Sequence, residues 1–452
     1  MDVGAIVIEN GQVIELEIEG LTATGEGIGT YQGLKVFVDG ALKDERVLCK
    51  IRLIKSNYAI ATLIKILVNS SERVEPVCPL FGLCGGCQIM QLNYAAQLNV
   101  KKKKVLDAFE RIGKSKIEED LEVVPSPLEN NYRNKVQLPA AKDLFPLQLG
   151  LFSKNSHNVI PLEKCYIHSS LGQSVFEKIA TLFKSSDILP FDESNKTGEL
   201  RHVLLRSSYY TKEVLVVLIT AQPLSKKIEK MSEQIAQIPF VKGVVHHRNA
   251  REGNAVFDKD FTLLQGQPFI NEKILGLDFQ ISGASFFQVN TLQAENLYQY
   301  ALDLADLDEN MHVLDAYCGI GTLSLQIAKR VKKVTGVECV DQAIQDAKLN
   351  ALNNQVNNVE FLCSTTEKVV SQFNNLNVVF LNPPRKGCDK HVLEVLGSRK
   401  VKKIIYISCD PATLARDVKI LEEMGYKKSG VKAFDMFPQT MHVETVVCLS
   451  LI

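Results

Sequence analysis

Cys409 has the sequence context of a covalent nucleophile. It follows the apolar run in Lys403-Ile-Ile-Tyr-Ile-Ser-Cys-Asp-Pro411, which reads as a strand ending at Ser408. A cysteine just past a strand end sits at a sheet edge, where core filling is less expected, although a buried core cysteine fits the same letters. A free thiol titrates near ~8.5, and even a small thiolate fraction is a strong soft nucleophile. Carbon 6 of a uracil, the electron-poor end of an enone-like system, is a natural target for it. Addition there would make C5 nucleophilic, and methylation at C5 would leave a proton to be removed before the sulfur departs. A positioned carboxylate suits that step. Glu444, in Phe437-Pro-Gln-Thr-Met-His-Val-Glu444, is a candidate, with a surface glutamate at the start of a final strand as the plainer reading.

A second group of residues has the form of a cofactor site. Val313-Leu-Asp-Ala-Tyr-Cys-Gly-Ile-Gly-Thr-Leu-Ser324 is an apolar strand running into a glycine turn that opens a helix. Gly319 and Gly321 let the backbone approach a ligand, and Asp315 lies at the strand end. At Glu338, the end of the next strand, a carboxylate is placed to accept from two ribose hydroxyls. A nicotinamide enzyme would offer a similar acid but would want G-x-G-x-x-G, with helix amides aimed at a pyrophosphate. Ser324 stands at the third glycine position, and Asp315 would repel a pyrophosphate while pairing with an amino group. Charge therefore favours S-adenosylmethionine. In Val378-Val-Phe-Leu-Asn-Pro-Pro-Arg385, two prolines fix an extended turn that holds Asn382 at the sheet's carboxyl edge, within reach of a flat base.

Eleven cysteines in 452 residues need a reason. The reading is cytosolic, because no apolar run is long enough to span a membrane and the N-terminus lacks the form of a secretory signal. Metal binding and catalysis then compete to explain any clustered cysteines. Cys78, Cys84 and Cys87 are spaced C-x5-C-x2-C among Gly82, Gly85 and Gly86, a loop free to wrap a metal. Lys plus Arg equals Asp plus Glu at 52 each, so composition announces no nucleic-acid partner and any basic surface must be local.

Three regions must position these groups. Residues 1–67 read as short strands broken by glycine, at Ile14–Ile18, Lys35–Val38, Arg46–Ile54 and Tyr58–Ile66. That is the profile of a small antiparallel OB-like barrel, either an oligonucleotide binder or an accessory domain. Residues 68–284 form a central α+β domain with the cysteine loop, a helix from Tyr94 to Gly113, the strand Val214–Thr220, and basic residues Arg133, Lys135, Arg201 and Arg206. The Lys101–Lys104 run is expected on a solvated helix face. From 285 to 452 strands and helices alternate: strands Val313–Ala316, Lys333–Glu338, Val359–Cys363, Val378–Leu381 and Lys403–Ser408, with helices Thr322–Arg330 and Asp341–Leu352. Such alternation predicts a Rossmann-like, doubly wound parallel sheet with its ligands beyond the carboxyl ends.

Taken in order, Ser285-Phe-Phe-Gln-Val-Asn290, the turn after Asp315, the Asn-Pro-Pro-Arg segment, Ser408-Cys-Asp-Pro411 and Phe437 to Glu444 resemble the motifs of RNA uracil-C5 methyltransferases, class I enzymes that use S-adenosylmethionine. The resemblance covers essentially the whole chain. It implies that Cys409 is the nucleophile, that Glu444 is the base, and that Gln288, Tyr317, Glu338 and Asn382 line the S-adenosylmethionine site. Gly25-Glu-Gly-Ile-Gly29 and Val36-Phe-Val-Asp-Gly-Ala41 resemble a TRAM barrel. Cys165, in Glu163-Lys-Cys-Tyr166, resembles a fourth cluster ligand. Four thiolates suit zinc or iron–sulfur, and the resemblance points to a structural [4Fe-4S] cluster. A TRAM barrel together with that cluster implies 23S ribosomal RNA as partner, with no membrane and no obligate protein partner. Transfer RNA, exocyclic-amine methylation and a non-catalytic RNA-folding role are the alternatives. The family has Asp where this chain has Asn382; Asn keeps an acceptor oxygen, loses the charge and gains donors.

Overall fold

The computed structural model describes residues 8–117, 120–141, 147–250 and 261–452. They fall into two compact units, Met1–Lys104 with Gln439–Met441, and Val105–Pro438 with His442–Ile452.

The first unit is built on a six-stranded sheet in the order Val13–Glu17, Arg46–Ile54, Tyr58–Val68, Leu34–Asp39, Gly27–Tyr31, Gly20–Leu21. Alternating residues such as Ile14, Leu16, Val36, Val38, Val47 and Cys49 point inward and form its core. Four of the strands coincide with the expected ones. The other two, Gly20–Leu21 and Gly27–Tyr31, lie in the glycine-rich stretch that reads as breaks. Glycine is required there by proximity: a Cβ on Gly29 would lie 2.2 Å from the carbonyl oxygen of Glu17. One pairing, Leu34–Asp39 with Tyr58–Val68, is parallel, so the sheet is not purely antiparallel. Buried Glu45 accepts from Arg73 Nε and from the Leu42 amide (2.8 Å), which ties the following segment to the sheet.

The helix after the cysteine loop runs Tyr94–Ala108 and ends in a π-helical turn, Phe109–Gly113. Its lysine run is not a solvated face: Lys101 is fully buried, and Lys104 Nζ donates to the Met441 carbonyl at 2.8 Å. Four consecutive helical residues span more than a full turn, so at least one of them must face inward.

The second unit holds two main sheets. One has five strands, in the order Phe261–Gly266, Val241–Arg248, Val214–Thr220, Leu200–Ser207, Lys135–Pro139. All seven residues of Val214–Thr220 are buried, and each large apolar side chain contributes about 1.5–3 kcal/mol. Two of the basic residues of this region are enclosed rather than open to a phosphate. Arg206 is fully buried, and Arg201, nearly so, pairs with Glu193.

The other sheet carries the site. Its strands are β1 (His312–Ala316), β2 (Lys333–Glu338), β3 (Val359–Cys363), β4 (Val378–Leu381), β5 (Lys403–Ser408), β6 (Tyr426–Phe434) and β7 (Glu444–Leu451). The order is β3-β2-β1-β4-β5-β7-β6, extended at the β6 edge by Val123–Val124. β1 to β5 are parallel, and β7 runs antiparallel between β5 and β6. The central strands β1, β2, β4 and β5 are short apolar runs buried on both faces, as a parallel sheet covered by helices requires, whereas β3 and β6 are partly exposed. The chain reverses direction across the sheet between β1 and β4, the position where such folds take ligands.

Candidate functional site

Cys409 and Glu444 lie 35 positions apart in sequence and are brought together by one strand register. β5 and β7 pair antiparallel with Ser408 opposite Thr445, so the next step sets Cys409 opposite Glu444. Residues opposed in this way have neighbouring side chains. The backbone then turns at once into the helix Pro411–Glu423: Asp410 caps it, accepting from the amides of Ala412 (2.9 Å) and Thr413 (3.0 Å), with Pro411 in the first turn.

The electrostatics couple the two groups. Burial pushes the Cys409 thiol up to about 11; the charge of Glu444 adds to the rise, and the Arg385 guanidinium opposes it. Glu444 is enclosed, and burial pushes its carboxyl up to about 7, again against Arg385. Arg385, present in the Asn-Pro-Pro-Arg segment but given no role from the sequence, is therefore the cation that acts on both. A thiol, a carboxylate that titrates near neutrality and one cation can together perform nucleophilic addition and proton abstraction.

The turn after β1 is backbone-strained in a way that opens it. Tyr317, Gly319 and Gly321 all have positive φ, at 67°, 56° and 80°. For tyrosine this is a costly conformation, of the sort held at functional sites. A Cβ on Gly319 would meet no atom within 4 Å, whereas one on Gly321 would lie 2.9 Å from the Phe361 ring. Gly319 thus faces open space and Gly321 permits packing on β3. Glu338 is fixed by backbone amides, Oε2 accepting from Gly319 (3.2 Å) and Oε1 from Cys339 (2.8 Å) and Val340 (3.0 Å). Asp315 is buried and accepts from Ser324 Oγ; burial pushes its carboxyl up to about 7. A buried acid this close to neutrality favours a cationic neighbour. The donor set, two carboxylates flanking an open glycine turn, suits a ligand with an amino group at one end and vicinal hydroxyls at the other.

Gln288 lies in the loop before the helix Thr291–Ala305, and its side chain bonds the buried Tyr298 hydroxyl. The loop is clamped from two sides, a feature the sequence reading missed. Arg206 Nη2 donates to the Ser285 carbonyl; Asp346 Oδ2 accepts from Ser285 Oγ and, at 2.9 Å, from Ser282 Oγ. The available signal was Arg206 directly after the apolar run Val203–Leu205, a charge that has to find a partner once buried. Asn382 ends β4, with its amide 3.4 Å from the Ala316 carbonyl, so β1 and β4 deliver the glycine turn and the Asn-Pro-Pro segment side by side.

Cys78, Cys84 and Cys87 lie on successive turns in which the Cys84 amide donates to the Leu80 carbonyl (2.8 Å) and the Gly86 amide lies 3.3 Å from Cys84 Sγ. Burial raises the Cys84 thiol, and neighbouring Cys78 adds to it. Among the described residues no group of three or more His, Cys, Asp or Glu side chains is arranged to hold a metal ion. The geometry therefore adds nothing to the four-cysteine expectation, which rests on the donor set alone. A cleft of about 370 Å³ lies beside the site rather than over it, between the turn Lys386–Asp389 and the helix residues Arg416, Asp417 and Ile420.

The profile of the tRNA (uracil-5-)-methyltransferase family matches residues 93–452, and that of the TRAM domain matches residues 8–64. The chain belongs to the tRNA (uracil-5-)-methyltransferase family. The uracil-5-methyltransferase match takes in Gln288, Asp315, Tyr317, Glu338, Asn382, Cys409, Glu444 and Cys165, while Cys78, Cys84 and Cys87 lie outside both matched stretches. Similar proteins include one described as an uncharacterized RNA methyltransferase from Clostridium tetani, 38% identical over 450 residues and covering 98% of both chains. Another so described, from Listeria innocua, is 40% identical over 456 residues and covers 99% of each. Among solved structures, the Pyrococcus abyssi tRNA (uracil-54, C5)-methyltransferase in complex with S-adenosyl-L-homocysteine superposes with a TM-score of 0.79 at 27% identity, covering 96% of this chain and 100% of that one.

Proposed function

We propose that this protein transfers a methyl group from S-adenosylmethionine to C5 of a uridine in RNA through a covalent adduct at Cys409. The observation that carries the reading is the pairing of Cys409 with Glu444 across the β5–β7 register, beside a glycine turn flanked by Asp315 and Glu338. Asp315 would take the amino group and Glu338 the ribose hydroxyls, with Gln288, Tyr317, Gly319, Gly321 and Asn382 lining the rest of the site. Bound there, S-adenosylmethionine would supply an electrophilic methyl group. The Cys409 thiolate adds to C6 of a uridine turned out of its loop, which makes C5 nucleophilic. Arg385 favours the thiolate against burial. After methylation Glu444 removes the C5 proton, the C6–sulfur bond breaks, and 5-methyluridine leaves. A carboxylate that titrates near neutrality is matched to that task.

In the same reading residues 1–67 bind RNA, 68–284 position it and 285–452 do the chemistry. The preferred substrate is 23S ribosomal RNA, on the resemblance of the barrel and cysteine loop to enzymes of that class. A specific observation favours transfer RNA instead: the P. abyssi tRNA enzyme superposes over 96% of this chain, so possession of an N-terminal unit does not by itself select ribosomal RNA. Incubation with labelled S-adenosylmethionine and unmodified 23S fragments or tRNA, followed by nucleoside analysis, decides between them. Label in 5-methyluridine from ribosomal RNA is expected; label confined to tRNA would overturn the preference, and label absent from 5-methyluridine would overturn the chemistry.

The [4Fe-4S] cluster is part of the proposal on the resemblance alone, with Cys78, Cys84 and Cys87 as thiolates and Cys165 as the fourth. The Gly86 amide beside Cys84 Sγ is the kind of donor that tunes a ligating sulfur. Methyl transfer requires no redox step, so a structural or RNA-positioning role follows. Anaerobically purified protein should show iron–sulfur visible absorption that Cys84→Ser removes; identical spectra would eliminate the cluster.

A further inference from the structure

The helix Pro411–Glu423 does more than follow Cys409. Its side chains bind the backbone of the turn after Asn-Pro-Pro. Thr413 Oγ1 donates to the Arg385 carbonyl at 3.2 Å, and Arg416 Nη2 donates to the carbonyls of Lys386 (3.1 Å) and Cys388 (3.4 Å). Asp417 Oδ2 accepts from the Cys388 amide at 2.9 Å and from the Tyr406 hydroxyl at 2.6 Å, while Oδ1 accepts from Arg416 Nε at 2.7 Å. Asp417 and Tyr406 are both fully buried, and Tyr406 stands on β5 three residues before Cys409. Gly387, at φ +77°, lets the turn press onto this carboxylate: a Cβ there would lie 2.6 Å from Asp417 Oδ2 and 2.5 Å from Arg416 Nη2. The Cys388 thiol is in turn bonded by the hydroxyls of Tyr406 and Tyr317, so the same network reaches the glycine turn after β1.

Three donors on one buried carboxylate fix the turn to both the helix and β5. The bonds from Thr413 and Arg416 and the one from the Cys388 amide to Asp417 end on the segment that bears Arg385, whose side chain is exposed and long, and whose charge acts on both Cys409 and Glu444. Without a fixed backbone beneath it, such a side chain would spread its charge over many rotamers.

We infer that Asp417 is a positioning residue: through Tyr406, Arg416 and the Cys388 amide it clamps the Pro384–Cys388 turn and so holds Arg385 over the Cys409–Glu444 pair. The inference rests on the functional reading only in taking Cys409 as the reactive thiol, and its test reads that thiol directly.

The test is the pH dependence of Cys409 alkylation by iodoacetamide, followed by peptide mass spectrometry on the full-length protein. Asp417→Asn is expected to move the profile to higher pH, in the direction of Arg385→Met. A displacement of one pH unit slows alkylation about tenfold at a fixed pH below the midpoint. The double variant Arg385→Met/Asp417→Asn should react no more slowly than Arg385→Met, because the clamp has no cation left to place. Tyr406→Phe, which keeps the bonds of Asp417 to Cys388 and Arg416, should shift the profile less and in the same direction, and it carries the test if Asp417→Asn does not fold. A folded Asp417→Asn whose profile overlays the wild type would overturn the inference. So would slowing that adds in full to that of Arg385→Met, or an unshifted Tyr406→Phe where that variant alone can be measured. Failure to find labelled 5-methyluridine would strike the functional reading and leave this result standing.

Discussion

Replacing Glu444 by glutamine should move two observables in opposite directions. Glutamine has nearly the same volume, so packing around this enclosed side chain is retained while the charge and the base are lost. Burial is the larger cause of the raised Cys409 thiol and the Glu444 charge the next, and a neighbouring like charge of this kind shifts a titration by about one unit or more. Above pH 7, where wild-type Glu444 is ionised, the variant's Cys409 should therefore alkylate about tenfold faster or more. Turnover should fall by roughly 10²–10⁴-fold, the usual worth of a positioned general base. The step lost comes after sulfur addition and methyl transfer, so a denaturant-resistant RNA–protein adduct should accumulate toward one per active site. Denaturing gels with labelled RNA read the adduct, nucleoside analysis reads turnover, and peptide mass spectrometry reads alkylation. Unimpaired multiple turnover would show that Glu444 is not the base. Alkylation slower than in the wild type would show that the charge coupling argued from the strand register is wrong.

Three further outcomes follow from the same groups. Asp315 and Glu444 both have carboxyls raised in the folded protein, from ordinary values of 3.8 and 4.5 to about 7. Between those values the native state holds more protons than the unfolded chain, so the stability they contribute is complete below the ordinary values and is lost as pH rises through about 7. Ligand-free protein should thus melt at a lower temperature at about pH 8 than at about pH 5, by an amount reflecting on the order of 3 kcal/mol per group, and Glu444→Gln should flatten part of that slope; a flat wild-type profile would contradict the burial argument. S-adenosylmethionine should bind more tightly as pH rises through 7, since an ammonium group pairs with ionised Asp315, and Asp315→Asn should weaken binding and abolish this pH dependence in calorimetry. Asn382→Asp should leave 5-methyluridine as the product and raise the rate of transfer; a methylated exocyclic amine from the unaltered chain would instead assign Asn382 to amine chemistry.

The sequence was most legible where one strand or turn suffices. Arg46–Ile54, Lys333–Glu338, Val359–Cys363, Val378–Leu381 and Lys403–Ser408 have their expected bounds because each is a compact apolar run closed by polar or turn residues. Gly20–Leu21 and Gly27–Tyr31 were not legible, since glycine ordinarily breaks strands and is used here for closeness to Glu17. Lys101 shows the same failure for charge: a run of like residues reads as surface, yet a helix cannot expose four consecutive positions on one face. At the candidate site, the strand-end positions of Cys409 and Asp315 could be read from what immediately precedes them. Arg206, Asp346 and Asp417 could not, because their roles lie in partners 79, 61 and 29 residues away, and a single sequence carries no sign of which distant backbone a buried charge will meet.

The pairing of Cys409 with Glu444 explains why the final strand of the sheet runs antiparallel in a site otherwise built from parallel strands. Parallel strands present only their carboxyl ends at the ligand edge, so each contributes a residue at or just past that end, as Asp315, Glu338, Asn382 and Cys409 do. A base directly opposite the nucleophile needs a neighbouring strand that starts at that edge, and only an antiparallel neighbour can do so. β7 supplies it, entering at Glu444 with its remaining length buried between β5 and β6. The register then sets which side chain faces the thiol. A one-residue slip would turn Glu444 to the opposite face of the sheet and set Thr445 or Val443 beside the thiol. Inserting one residue between Glu444 and Thr445 should therefore trap the RNA adduct as Glu444→Gln does and abolish the acceleration of Cys409 alkylation by that substitution; free product release with the acceleration intact would show that the register is not what sets the pair.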